Sequence, residues 1–246
     1  MASLLFPTLT ANLSSTESDI ICGLSAMPEI PLFPLPLVMF PDVVIPLHIF
    51  EERYKSMIHR CIEESSLFGI VLIPPGTSTE SESTIHRVGV TARVIQSERL
   101  EDGRLNIMAA GTMRFRVLEF TGNKPCWAAK VEYFEDDPES GEELQDSFED
   151  VIRLYRDVHR LASELRGTDV AEIQIPESPV LLSYMVSYVL EIAPAAKQEL
   201  LEMTSTTGRL KALAAHLEGT IQRVNAQIAR DAMSRKVKGN GHFKVQ

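Results

Sequence analysis

The residues with the most chemical potential are the six histidines, His48, His59, His86, His159, His216 and His242. No two of them stand in the H-x-x-x-H or H-E-x-x-H spacing that puts two ligands on one helix face, so a zinc site would have to be assembled from distant segments. Isolated surface or half-buried histidines are the expectation. Nucleophilic chemistry fares no better, because no G-x-S-x-G elbow is present. The chain also lacks a G-x-x-x-x-G-K-[ST] loop that would cradle phosphates. Cys22, Cys61 and Cys126 are odd in number and show no C-x-x-C spacing. They read as free thiols of a reducing compartment. No catalytic residue, metal or cofactor is expected.

Two groups remain as binding residues. Glu51, Arg53 and Tyr54 form a dense polar cluster in which Arg53 is a candidate partner for an anionic or peptide group. The competing reading is local: Glu51 complements a helix N-terminus, Arg53 pairs with it, and Tyr54 packs inward. The loop Pro36-Leu37-Val38-Met39-Phe40-Pro41 is more apolar than a connection usually is. Leu37, Val38, Met39 and Phe40 either plug the end of a barrel or offer a surface to a bound polypeptide.

The elements that must position these residues follow from periodicity. From Ile30 to Phe134 short β-branched and aromatic runs are broken by Pro74-Pro75-Gly76, Asp102-Gly103 and Gly122-Asn123, which predicts about six strands. Asp102-Gly103 is read as a tight hairpin, because both positions tolerate positive φ. One helix, Glu51 to Glu64, interrupts them, with Tyr54, Ile58, Cys61 and Ile62 on its apolar face. An acidic run over 135–150 marks a boundary and reads as a solvated connector. Ser140-Gly141-Glu142-Glu143 then has the form of a capping box. The next helix carries Leu144, Phe148, Val151, Ile152, Tyr155, Val158, Ala162 and Leu165 and ends at Gly167. Ser178-Pro179 opens another, Pro194 a short third, and Thr204 to Thr207 cap a fourth whose Leu210, Leu213, Leu217, Ile221, Val224 and Ile228 alternate three and four apart.

Ile30-Pro31-Leu32-Phe33-Pro34-Leu35, Val38-Met39-Phe40-Pro41 and Ile45-Pro46-Leu47-His48-Ile49-Phe50-Glu51-Glu52-Arg53-Tyr54 together resemble the N-terminal substrate-binding domain of Lon proteases, in its stand-alone form. Phe68-Gly69-Ile70-Val71-Leu72, Val88 to Val94, Asp102 to Ile107 with Gly111 and Arg114-Phe115-Arg116-Val117, Lys197 to Glu202 and Arg209-Leu210 are similar to later parts of that domain, in the same order. The resemblance implies an α+β fold, a PUA-like β-barrel with one inserted helix followed by a helical bundle. The expected divisions are a flexible arm over 1–28, the barrel over 29–135, the bundle over 136–235 and a flexible basic tail over 236–246. Met27, just before the first strand, is a candidate alternative translation start.

The same resemblance implies recognition of unfolded or misfolded polypeptides by a non-enzymatic module, acting as a proteolysis adaptor or holdase, with a protease or chaperone as further partner. An extended client would add hydrogen bonds at a strand edge and place side chains between barrel and bundle. Neither the ATPase nor the Ser-Lys protease domain of complete Lon proteases is expected in a chain of 246 residues. A net charge of −10 disfavours nucleic acid and anionic lipid, and no run reaches the ~18 apolar residues of a membrane helix. A cytoplasmic location follows as the expectation, and oligomeric state is left open. The alternatives are an RNA-binding PUA-like protein and an enzyme without a recognisable motif.

Overall fold

Strand β5 (Leu105–Gly122) organises the molecule because its 18 residues serve two layers. The computed structural model describes residues 27–74, 76, 81–169 and 173–239. The expected arm, apart from residues 27 and 28, lies outside the described residues, as do the candidate translation start's upstream segment, Cys22 and His242. The other strands are β1 (Glu29–Leu35), β2 (Val44–Ile49), β3 (Phe68–Leu72), β4 (Val88–Arg99) and β6 (Trp127–Phe134). They line up as β2-β5-β4-β3-β1-β6, and β5 also pairs with β6, so five strands close into a ring and β2 lies outside it. β1 and β3 run parallel, while the other pairs are antiparallel.

Every residue of β3 is buried, which explains its unbroken apolar run: one face looks into the ring and the other towards helices. Inside the ring Leu32, Val71, Phe115, Val117, Trp127 and Val131 pack together. A Cβ on Gly69 would meet Leu32 and Phe115, and one on Gly89 would meet the Ile70 carbonyl and Phe115, so both glycines make room for the Phe115 ring. The expected tight hairpin forms at Asp102-Gly103, between β4 and β5. Leu100 N–H donates to the Arg104 carbonyl at 2.9 Å, and Gly103 has positive φ whereas Asp102 does not. It is a three-residue loop with glycine in the left-handed position.

Helix α1 (Glu52–Glu63) buries Tyr54, Met57, Ile58 and Cys61. Ile62, expected on that face, is exposed, and Met57 takes its place. Ile45, Leu47, Ile49, Leu105, Ile107 and Ala109, on one side of the β2–β5 pair, are buried in the same core cluster as the apolar face of α1. Burial lifts the Cys61 thiol above its ordinary pKa, which leaves it an inert core residue.

The bundle comprises α2 (Glu142–Arg166), α3 (Pro179–Val189), α4 (Pro194–Glu202) and α5 (Thr206–Gly239). Ser178 caps α3 by accepting from Leu181 N–H, as its type and the following proline predict. The expected capping box of α2 does not form: Gly141 occupies the cap without a side-chain bond. Glu143 instead accepts from Lys211 of α5. That pair joins the N-terminal parts of the two helices, and Arg153 further along α2 lies within electrostatic reach of Glu218 further along α5, so the two run parallel. Leu210, Leu213 and Leu217 of α5 are fully buried, while Ile221 is half-buried. On α2 Leu154 and Leu161 are buried and Leu165 is exposed, so the stripe is shifted from the one expected. The tail boundary expected at 235 falls inside α5, which extends to Gly239.

Candidate functional site

The apolar loop is interior. Val38, Met39 and Phe40 are 4%, 1% and 0% exposed and Leu37 is half-buried. The loop backbone lies against Gly111 of β5: Asp42 N–H donates to the Gly111 carbonyl at 3.1 Å, and Gly111 N–H donates to the Val43 carbonyl at 2.9 Å. A Cβ at Gly111 would strike the Phe40 carbonyl oxygen. The Phe40 ring sits 6.2 Å from that of Tyr184 in α3. In this arrangement the loop plugs the junction of barrel and bundle, and Val38, Met39 and Phe40 face no solvent. Arg53 shows the local pattern as well. Its Nε donates to Glu51 Oε2 at 2.9 Å, its guanidinium lies 4.4 Å from the centre of the Tyr54 ring, and Tyr54 itself is buried.

The space between barrel and bundle, expected to receive a client, is filled by a polar cluster. Asp136, in the connector between β6 and α2, pairs with Arg114 of β5 and Arg209 of α5. Its oxygens also accept from Tyr184 Oη at 3.3 Å and Thr206 Oγ1 at 2.6 Å. Arg114 reaches the Leu201 and Met203 carbonyls, and Arg209 reaches Ser183 Oγ and the Met203 carbonyl. Phe134 lies against Arg114, and Tyr184 against Arg209, at 4.5 Å in each case.

Burial pushes the Asp136 carboxyl up. The bonds from Arg209 and Thr206 and the charges of both arginines outweigh that and hold it below its ordinary value. Burial lowers Arg114. It also raises Tyr184 to about 12, so the phenol stays a donor. These groups are mutually satisfied and form a joint, with no open face for a reaction. The acidic connector is thus not merely solvated. Asp137 and Glu139 are stitched to Thr204 and Thr207 as well.

Strand edges are poor acceptors of an added chain. β2 has β5 on one side only, and it carries Pro46, which has no N–H to give. Beyond Ala92, β4 likewise pairs only with β5, and a register shift between Val94 and Gln96 interrupts its line.

What stays open is the outer face of β2, β5 and β4, opposite α1. Directly paired residues share a face, and the register sets Val44, Ala110 and Arg93 in one row, Pro46, Met108 and Gln96 in the next, then His48, Asn106 and Glu98. Phe50 follows in the same alternation at 62% exposure, its ring 6.3 Å from that of His48. Pro46 is exposed, and Val44, Met108 and Ala110 are half-buried. An apolar strip with a polar margin results. It is the kind of surface that accepts side chains of a partner. His48 Nδ1 lies 2.7 Å from Asn106 Oδ1, and its Nε2 lies 3.2 Å from Arg104 Nη1. Arg104 is itself paired with Asp102, which holds the Asp102 carboxyl below its usual range.

Sequence reasoning singled out the loop and Arg53 and passed over this face. The signal was present in the alternation of Val44, Pro46, His48 and Phe50 against buried Ile45, Leu47 and Ile49. Among the described residues no group of three or more His, Cys, Asp and Glu side chains could hold a metal, and no helix is long and apolar enough to cross a membrane.

Comparison with known proteins accounts for the arrangement. Residues 29–219 match the model of the ATP-dependent protease La (LON) substrate-binding domain. The Lon protease of Dictyoglomus thermophilum is 24% identical over 193 residues, covering 78% of this chain and 24% of that protein. The Lon protease of Escherichia coli K12 is 26% identical over 199 residues, covering 78% and 25%. The chain thus spans about a quarter of the length of these relatives.

Among solved structures, a Lon N-terminal domain protein from Xanthomonas campestris superposes with a TM-score of 0.58 at 24% identity, covering 76% of this chain and 98% of that one. The N-terminal domain of Mycobacterium avium complex Lon protease gives 0.59 at 18% identity, covering 78% and 98%. The α+β fold is the one these domains share. With its barrel, bundle and continuous match over 29–219, the chain belongs to the Lon substrate-binding domain family.

Proposed function

We propose that this chain is a non-enzymatic module that binds unfolded or misfolded polypeptides, as an adaptor for proteolysis or as a holdase, through the outer face of β2, β5 and β4. The observation that carries the reading is the apolar strip from Val44 to Phe50, open on a sheet whose other side is buried in the core cluster that includes α1. Arg53 and the loop from Leu37 to Phe40 support it from within, by setting the ends of β2 rather than by touching the client. Family membership supports polypeptide as the ligand class.

The energetics call for weak, sequence-tolerant binding. A micromolar complex needs about 8 kcal/mol net, against an association cost of at least about 4 kcal/mol. At about 1.5–3 kcal/mol for each fully buried apolar side chain, Phe50, Met108, Pro46 and Val44 must act together. Fluorescence anisotropy with a carboxymethylated, permanently unfolded model protein and its native form tests this. Selective micromolar binding of the unfolded form is expected, weakened at least tenfold by Phe50→Ser with Met108→Ser. Equal affinity for both forms, or binding indifferent to the double substitution at unchanged stability, rejects the reading.

A further inference from the structure

Arginine has hydrogens to donate and no lone pair to accept. The contact between Arg104 Nη1 and His48 Nε2 at 3.2 Å therefore requires a bare Nε2. The ring proton is then on Nδ1, where it is donated to Asn106 Oδ1 at 2.7 Å. We infer that His48 is held as the neutral Nδ1–H tautomer and that the His48–Arg104 contact makes the outer sheet face pH-responsive, so that acidification remodels the surface around Phe50.

The surroundings decide the direction. A proton added at Nε2 would point at the Arg104 guanidinium, replacing a hydrogen bond by two opposed donors of like charge. Arg104 has an alternative, since its Nε already donates to Asp102 Oδ2 at 2.6 Å and its backbone N–H to Asp102 Oδ1 at 3.1 Å. The other charged groups on this face are Glu98 of β4, level with Asn106, and Arg93, level with Ala110, while the Lys55–Glu52 pair belongs to α1 on the other side of the sheet. Lys55 approaches the turn at Gly103. Asp102 and Glu98 attract a charged imidazole, so protonated His48 swings from Arg104 towards the carboxylates. Its ring leaves the position from which it flanks Phe50. Histidine is the side chain whose charge changes between pH 5 and 8, and the strip then gains a positive charge and loses its aromatic neighbour.

As a mode of regulation this rests on the proposed binding face, but its chemistry is testable without a client. Long-range proton–nitrogen spectra of the full-length labelled chain at pH 8 should show Nδ1 protonated and Nε2 bare. On acidification to pH 5.5 the Arg104 Nε–H and Phe50 ring signals should shift together with His48, and His48→Gln should abolish both shifts. An Nε2–H tautomer, or Arg104 and Phe50 signals that ignore the titration, overturns the inference. In a parallel arm, affinity for a histidine-free, carboxylate-free apolar peptide should fall three- to tenfold from pH 8 to 5.5 in the wild type and stay level in His48→Gln. Binding unchanged with pH in the wild type overturns the regulatory claim. Absence of binding at both pH values, with the spectra as expected, rejects the binding face and leaves the tautomer assignment standing.

Discussion

Gly111 sits where two chains would otherwise collide, and its role follows from distance rather than from backbone freedom. Any side chain there meets the Phe40 carbonyl, and the loop that supplies that carbonyl closes the junction of both lobes. Gly111→Ala should cost about 1–3 kcal/mol, the usual price of forcing a methyl into a packed site. The shift in urea midpoint measures it. Arg53→Ala, which removes contacts with its neighbours Glu51 and Tyr54, should move the same midpoint far less. Little of this contrast was legible beforehand. The sequence showed that residues 37–40 were too apolar for a loop, but not which glycine they rest on, because Phe40 lies in a loop and Gly111 in β5, with no local pattern in common.

At the scale of elements, strands and helices were largely readable, since alternation and helical spacing are local properties of a chain. Ser178-Pro179 and Gly167 marked helix ends correctly because capping depends on residues a turn apart. The α2 cap was misread because Gly141 rather than Ser140 occupies it, and Glu143 pairs instead with Lys211, far along the chain. The joint at Asp136 was invisible for the same reason. Its arginine partners stand 22 and 73 residues away, and an acidic connector looks solvated until the fold brings charge to it. Family resemblance had picked out Arg114 and Arg209 without a role for either.

The joint holds two guanidinium groups to one carboxylate, so its members are not equivalent. Asp136→Asn leaves two buried cations facing a neutral amide and should cost about 3–5 kcal/mol. Arg114→Met leaves a balanced Asp136–Arg209 pair and should cost clearly less. Denaturant unfolding of both variants orders them, and equal losses would show that the cluster does not act through charge balance.

Over the whole molecule the same carboxylate sets an acid limit. Because the folded state holds Asp136 below its ordinary value, its contribution is fully present above about pH 4, the usual aspartate range, and is lost as pH falls through the lower folded value. Stability measured by urea titration should decline over that window in the wild type, and this component should vanish in Asp136→Asn. A slope unaltered by the substitution would assign acid sensitivity to other carboxylates. Barrel and bundle share the joint and one continuous core, so they should unfold in a single transition.

Pro46 and the break in β4 have a further consequence for such a molecule. In the role proposed above, sticky, partly unfolded chains come close to the sheet, where a straight open edge would template their conversion into β-aggregates. With the ring closed by β5 and β6 and the β2 and β4 edges blunted, that role confines contact to side chains on a face. A client can then be released as it was captured, before it recruits another copy of itself.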